Sequence, residues 1–298
     1  MEHLALATRP KSIRLKDYVT LTKPRIISLL AITAFCAMVV AQGRIPSMAL
    51  TVNTLSGLAL SIGGAHAINM WYDRDIDRLM ERTRHRPLPS GRMAPSEVLS
   101  FGIFLQSASF VWLASRVNLL AAETSFAGFL FYVLIYTVWL KRRSPQNIVI
   151  GGAAGSFPPL VGWAAATNHL GWTPWLMFLV IFLWTPPHFW ALALYKRQDY
   201  QRANIPMMPV VKGSRTTIRQ MVLYATLLIP CTLALHWTDA RLGWLYIVLA
   251  LLLGVIFWML TAALSLPHPR ITPERVFFAS LLYMAGIFTA VVVATLAG

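Results

Sequence analysis

Acidic residues are scarce in this chain, with 11 Asp and Glu against 26 Lys and Arg in 298 residues and a formal net charge of +15. Only 12% of residues are charged while 57% are hydrophobic, and the mean hydropathy is +0.59. That balance excludes an ordinary soluble globular domain, and no low-complexity tract or separate soluble unit interrupts it. Cysteine is nearly absent. Cys36 and Cys231 each fall inside an apolar run, which excludes a disulfide framework or a Cys-based metal centre and predicts two buried free thiols. The first 25 residues carry charge without an apolar core ending at a cleavage site, so neither a signal peptide nor a mitochondrial transit peptide is expected. A basic chain can bind nucleic acid, but here the cations lie in short segments between apolar runs. The lipid bilayer, not nucleic acid, is the expected partner.

What the chain has in quantity is apolar runs long enough to cross about 30 Å of hydrocarbon. They fall near 26–41, 49–72, 97–115, 117–140, 148–167, 172–195, 220–237, 244–265 and 276–297. Backbone groups in lipid must be satisfied within each segment, so the expected fold is all-α: a polytopic bundle of nine transmembrane helices. The segments before the first run and after the second, fourth, sixth and eighth hold 23 of the 26 Lys and Arg. The positive-inside rule then places the N-terminus in the cytoplasm and the C-terminus outside. Polar loops at about 73–96 and 196–219 would share the cytoplasmic face. Gly63, Gly64, Gly151, Gly152 and Gly155 are expected to let helices approach closely. The pairs Pro158–Pro159 and Pro186–Pro187 are expected to kink the fifth and sixth spans.

The stretch Asn69–Met93, NMWYDRDIDRLMERTRHRPLPSGRM, carries the chemistry. Asn69, Asp73 and Asp77 are four apart, so on a helix they form one stripe that drifts about 40° per step and spans roughly 12 Å. An amide and two carboxylates so aligned suit Mg²⁺, which takes hard oxygen ligands and fills its remaining sites with water and phosphate oxygens. Asp75 points elsewhere. Arg74, Arg78, Arg82, Arg84, Arg86 and Arg92 supply the positive charge a diphosphate would need. The bland alternative is a solvated loop whose acids merely balance arginines at the membrane surface.

A weaker echo of this stretch follows the sixth span, where YKRQDYQRANIPMMPVVKGSR again sets a polar, basic loop after an apolar helix. Asp199 is present, but the residue four on is Ala203. His66 and His188 lie inside spans, where histidines face a bundle interior as structural hydrogen-bonders or as substrate contacts. Trp184, Phe189 and Trp190 would flank a flat ligand or simply pack. Near the inner lip lie Lys23, Arg25, Tyr136 and the run Lys141, Arg142 and Arg143, available to lipid headgroups or to a diphosphate.

Together these segments resemble the UbiA-type intramembrane prenyltransferases, and within that superfamily the protoheme IX farnesyltransferases (heme O synthases). The resemblance runs from LTKPR through the ninth span. The Asn-x3-Asp-x3-Asp pattern marks the superfamily, whereas PPHFWALA and IPMMPVV look specific to the heme branch. It implies a single domain over 1–298, with the two polar loops capping a central cavity. Asn69, Asp73 and Asp77 would hold Mg²⁺ and farnesyl diphosphate, with Asp73, Asp77 and Asp199 as the catalytic acids. Lys23, Arg74, Arg84, Tyr136, Lys141 and Lys196 would serve the diphosphate, and His66, Trp184 and His188 the heme. Many superfamily members carry a second acid where this chain has Ala203.

The implied reaction makes heme o from heme b, farnesyl diphosphate and water at the inner face of a bacterial cytoplasmic membrane. A heme vinyl group attacks the farnesyl carbon and water traps the resulting cation. Hand-off of product to a heme A synthase or to terminal oxidase assembly is implied as well. Prenylation of a phenolic quinone precursor is the alternative within the class. A transporter is the alternative outside it, disfavoured because the acids gather at the lip and not at the midplane.

Overall fold

A computed structural model describes residues 15–298 of the chain. Arg9, Lys11 and Arg14, three of the cations behind the expected N-terminal orientation, lie outside the described residues. So does most of the segment on which the absence of a leader was argued. Among the described residues there is no strand, and nine helices are long and apolar enough to span a membrane.

A short helix α1 (Leu15–Thr22) precedes the first span, α2 (Pro24–Gln42). Lys23 between them adopts φ 55°, and Pro24 opens α2, where its missing N–H costs nothing. The second span, α3 (Met48–Tyr72), is capped by Ser47 and runs directly into a short helix, α4 (Arg74–Leu79). Next come α5 (Pro95–Arg116) and α6, which is α-helical over Leu119–Leu130 and π-helical over Phe131–Leu140. The Asn118 side chain caps α6 and also donates to the carbonyl of Ala164, tying the start of α6 to the end of α7 (Asn147–Thr167). The chain continues through α8 (Trp172–Tyr195), the short helices α9 (Arg197–Arg202) and α10 (Met208–Val211), α11 (Gly213–Thr238), α12 (Trp244–Ala263) and α13 (Pro273–Ala297).

The apolar runs located the spans to within a few residues, with one exception. The seventh begins at Gly213, seven residues before the expected 220, and the polar loop before it is largely the helices α9 and α10. Hydropathy records contact with lipid, and the first turns of α11, with Arg215 and Arg219, precede the apolar run while keeping helical backbone bonds. Helices α7 and α8 are the most buried spans, and both stay helical through their proline pairs. Helix α3 packs on α5, α7 lies against α2 and α8, and α8 meets α11 and α13.

Four of the five singled-out glycines sit at close approaches. A Cβ on Gly64 would fall 2.8 Å from the Gly102 carbonyl, and one on Gly151 or Gly152 would strike Tyr136 or Thr185. Gly63 faces Thr22. Gly155 departs from the expectation, because a Cβ there would meet nothing within 4 Å. Cys36 and Cys231 are buried free thiols.

Candidate active site

Although α3 ends at Tyr72, the i→i−4 hydrogen bonding continues across the junction. Asp73 N–H donates to the Asn69 carbonyl and Asp77 N–H to the Asp73 carbonyl, both at 2.9 Å. Asn69, Asp73 and Asp77 therefore stay in helical register, and all three are buried, at 3%, 0% and 2% exposure. The side chain of Asp75, one step off the stripe, is 60% exposed. Asn69 Nδ2 donates to Asp73 Oδ2 at 2.8 Å and to Thr137 Oγ1 at 3.2 Å, which fixes the amide against α6. The Thr137 hydroxyl in turn donates to the Tyr132 carbonyl within the π-helical stretch. Such wide turns leave carbonyls and side chains displaced from α-helical positions and recur at functional sites.

Cations from three segments answer these acids. Lys141, at the end of α6, pairs with Asp73 Oδ2, and Arg86 pairs with Asp77 Oδ2 at 2.6 Å. Lys23 Nζ reaches Asn69 Oδ1 at 3.5 Å. Burial first, then the nearby charges of Arg86 and Lys141, hold the Lys23 ammonium well below its ordinary value. Arg142 grips both oxygens of Asp75, at 2.6 and 2.7 Å, and donates to the Tyr72 carbonyl. That grip holds the Asp75 carboxyl below the usual carboxylate range. One polar atom is left over. Asp73 Oδ1 is sealed from solvent with no hydrogen bond among the described residues, and Arg142 lies 3.5 Å from it.

Among the described residues no three His, Cys, Asp or Glu side chains cluster as a metal site. The oxygens of the stripe come from two carboxylates and one amide, a set that substrate or water oxygens would have to complete to hold Mg²⁺.

The expected diphosphate contacts divide. Lys23 and Lys141 adjoin the stripe, and the Tyr136 ring lies in the gap left by Gly151 with its centroid 5.4 Å from that of Tyr132. Arg74 does not adjoin it: its guanidinium folds back onto the Trp71 carbonyl at 2.7 Å and over the Trp71 ring. Arg84 is exposed and turns to His85. Lys196 and Asp199 line a groove of about 560 Å³ shared with Glu81 and Arg202, and Asp199 makes no ion pair among the described residues. Tyr200, next to Asp199, links the two loops. Its hydroxyl is pushed up by burial and pulled back by Arg82 and Lys141. Ala203 is 3% exposed within the apolar cluster that holds Met80 and Ile205, so the position lacking the second acid is part of the seam between the loops.

The expected heme contacts separate as well. His188 is stacked between Trp184 and Phe277, at 4.2 and 4.6 Å, with Nδ1 2.6 Å from Ser280 Oγ. Trp184 Nε1 donates to the Ser280 carbonyl, so this pair is pinned to α13. Phe189 faces outward and Trp190 is fully buried. His66 lies on α3 against Thr22 and Tyr132. Arg86, Tyr132, Thr137 and Arg142 were not among the expected site residues. Arg86 and Arg142 were visible only as members of basic runs, and nothing in the sequence marks Thr137.

The sequence matches the UbiA prenyltransferase family over residues 30–282. It is 55% identical over 280 residues to the protoheme IX farnesyltransferase of Symbiobacterium thermophilum, covering 92% of each chain. It is 48% identical over 277 residues to that of Brucella ovis, covering 92% of this chain and 88% of the relative. Among solved structures, a digeranylgeranylglyceryl phosphate synthase superposes with a TM-score of 0.79 at 18% identity, covering 95% of this chain and 99% of that one. A UbiA homolog from Archaeoglobus fulgidus, bound to DMAPP and Mg²⁺, superposes with a TM-score of 0.67 at 16% identity, covering 92% and 99%. A helical bundle with a buried Asn69–Asp73–Asp77 stripe and relatives this similar leave one assignment: the chain belongs to the UbiA prenyltransferase family and groups within it with the protoheme IX farnesyltransferases.

Proposed function

We propose that the chain transfers a farnesyl group from farnesyl diphosphate to a vinyl group of heme b, with addition of water, giving heme o and diphosphate. The observation that carries this reading is the convergence of Asn69, Asp73 and Asp77 with Lys23, Arg86 and Lys141 at one end of an apolar bundle. Asn69, Asp73 and Asp77 would hold Mg²⁺. The donor set fits, since all its oxygens are hard and Asp73 Oδ1 is a sealed acceptor with no hydrogen bond. When bound, the ion supplies Lewis-acid neutralisation of the departing diphosphate.

The remaining work belongs to the chain. Lys23, Arg86 and Lys141 place positive charge where the leaving group gains negative charge. Lys196 and Asp199 border the same cytoplasmic end and would meet the diphosphate from the other loop. The farnesyl chain would lie among the spans, where apolar walls keep water from capturing the allylic cation early. The farnesyl C1–O bond breaks and a C–C bond forms to the vinyl terminus. The cation left beside the porphyrin then takes a hydroxyl from water. We place this single-domain enzyme in a bacterial cytoplasmic membrane, with its site facing the cytoplasm. Its membrane-bound product would pass to a heme A synthase or to terminal oxidase assembly.

Loss of the gene tests the acceptor. Membranes should lose heme o and keep their quinones, and purified enzyme with heme b and farnesyl diphosphate should yield the heavier heme by mass spectrometry. Loss of quinone with heme o retained would establish prenylation of a phenolic precursor instead.

A further inference from the structure

His66 lies three residues before Asn69, so it stands about 4.5 Å further into the bundle along α3. The segments that hold Asn69 also hold His66. On one side, His66 Nδ1 lies 3.0 Å from the Thr22 carbonyl, and the next residue, Lys23, reaches Asn69. On the other, the Tyr132 ring meets the imidazole edge-on at 5.6 Å, and the Tyr132 carbonyl accepts from the Thr137 hydroxyl that touches Asn69.

The contact with Thr22 fixes the tautomer. A carbonyl can only accept, so Nδ1 carries the proton and Nε2 carries a lone pair. Nε2 has no hydrogen-bond partner among the described residues. Although His66 is only 5% exposed, this atom is not sealed within the packing. Of the acceptors near the stripe, Asp73 Oδ2 is engaged by Lys141 and Asp77 Oδ2 by Arg86, while the unbonded Asp73 Oδ1 belongs to the donor set proposed for Mg²⁺. His188 is pinned between α8 and α13 by Trp184, Phe277 and Ser280.

We propose that His66 is the catalytic base of the hydration step; this rests on the reading of the chain as a heme farnesyltransferase. Farnesyl transfer leaves a cation on the vinyl carbon next to the porphyrin. A lone pair of water forms the new C–O bond, and the resulting oxonium must lose a proton to become the hydroxyl. Nε2 takes that proton and becomes an N–H. The imidazolium, close to the Lys23 segment, passes the proton to the released diphosphate, and His66 returns to its starting tautomer.

The test uses the full-length enzyme in detergent or native membranes, with heme b and farnesyl diphosphate. It reads diphosphate release together with the mass of every farnesylated heme. His66→Asn keeps a side-chain N–H for the Thr22 carbonyl and removes Nε2. Diphosphate release should persist while the hydrated product falls by at least about a hundredfold, within the range that a general base contributes. A farnesylated heme one water lighter should accumulate, and imidazole added to His66→Ala should restore hydration. An unchanged product ratio in His66→Asn would overturn the proposal. So would a parallel loss of diphosphate release and both products with no imidazole rescue, which marks a structural role. A change in the Soret band of bound heme b in His66→Asn would make the residue an iron ligand instead. If the wild-type enzyme forms no farnesylated heme at all, the farnesyltransferase reading itself fails.

Discussion

Replacing Asp73, Asp77 and Asp75 by asparagine one at a time separates a metal-holding stripe from a merely charged loop. Each change keeps side-chain size and removes one negative charge, so a general surface-charge effect would treat all three alike. Their surroundings differ. Asp73 and Asp77 are buried at 0% and 2% exposure, whereas the Asp75 side chain is 60% exposed and paired with a half-exposed Arg142. Loss of a carboxylate ligand should lower turnover at least about a hundredfold at positions 73 and 77, or about 2.7 kcal/mol of transition-state stabilisation. At position 75 only an exposed ion pair is lost, in the class worth about 0–1 kcal/mol, so activity should stay within about fivefold of wild type. Asp73→Asn also leaves Lys141 without its anionic partner, and breaking a fully buried pair costs about 3–5 kcal/mol of stability. Lys141 keeps 17% exposure, so the cost here should be smaller, and monodispersity on gel filtration would confirm that the bundle is intact. Turnover of farnesyl diphosphate and heme b is then compared at matched protein. Equal, mild losses at all three positions would refute the stripe as the metal site.

Arg86→Gln should reduce kcat/KM for farnesyl diphosphate by at least about tenfold, because it removes the cation on Asp77, while Arg84→Gln should change it less than about twofold. Steady-state kinetics on the two variants would show whether one arginine or the basic run as a whole matters. Gly162→Ala would drive a Cβ into the Ala34 carbonyl, a backbone atom that cannot step aside, so it should cost about 1–3 kcal/mol or more. Gly155→Ala, with open space around it, should be nearly neutral, and thermal unfolding in detergent compares the pair directly. A reporter active only in the cytoplasm and fused after Gly298 should be silent. Strong signal there would overturn the orientation argued from the loops.

The spans were legible because covering lipid is a property of each segment alone, and a run of apolar residues states it without reference to neighbours. The register of Asn69, Asp73 and Asp77 was legible for a similar reason: a four-residue spacing holds wherever i→i−4 bonding persists, and it persists across the break at Asp73. The choice of cations was not legible. Six arginines follow the stripe, and which of them turns inward depends on how the loop after α4 folds back. Thr83 donates to the Asp77 carbonyl at 2.9 Å and Arg86 N–H to the Thr83 carbonyl, a reversal that brings Arg86 under Asp77 and leaves Arg84 outside. Arg74 is withdrawn by the ring and carbonyl of Trp71, a contact three residues away with no periodic signature. The start of α11 was missed because polarity at a helix end reads the same as polarity in a loop.

The surplus of cations around two carboxylates has a physical logic. A buried carboxylate with no partner costs several kcal/mol, so two buried carboxylates at this position need counter-charges. Lys141 and Arg86 provide them for Asp73 and Asp77. On the proposed function, Asp73 and Asp77 would hold the metal and Lys141 and Arg86 would be free to meet phosphate oxygens, with no additional protein charge brought out of water. Lys23 is different: among the described residues it has no carboxylate of its own, only the Asn69 amide oxygen at 3.5 Å, and its burial beside Arg86 and Lys141 already works against its charge. Its ammonium has no anionic partner among the described residues. On the proposed function, an incoming diphosphate would gain more from Lys23 than from cations that must first release a carboxylate, and we propose the left-handed residue between α1 and α2 as a principal diphosphate contact.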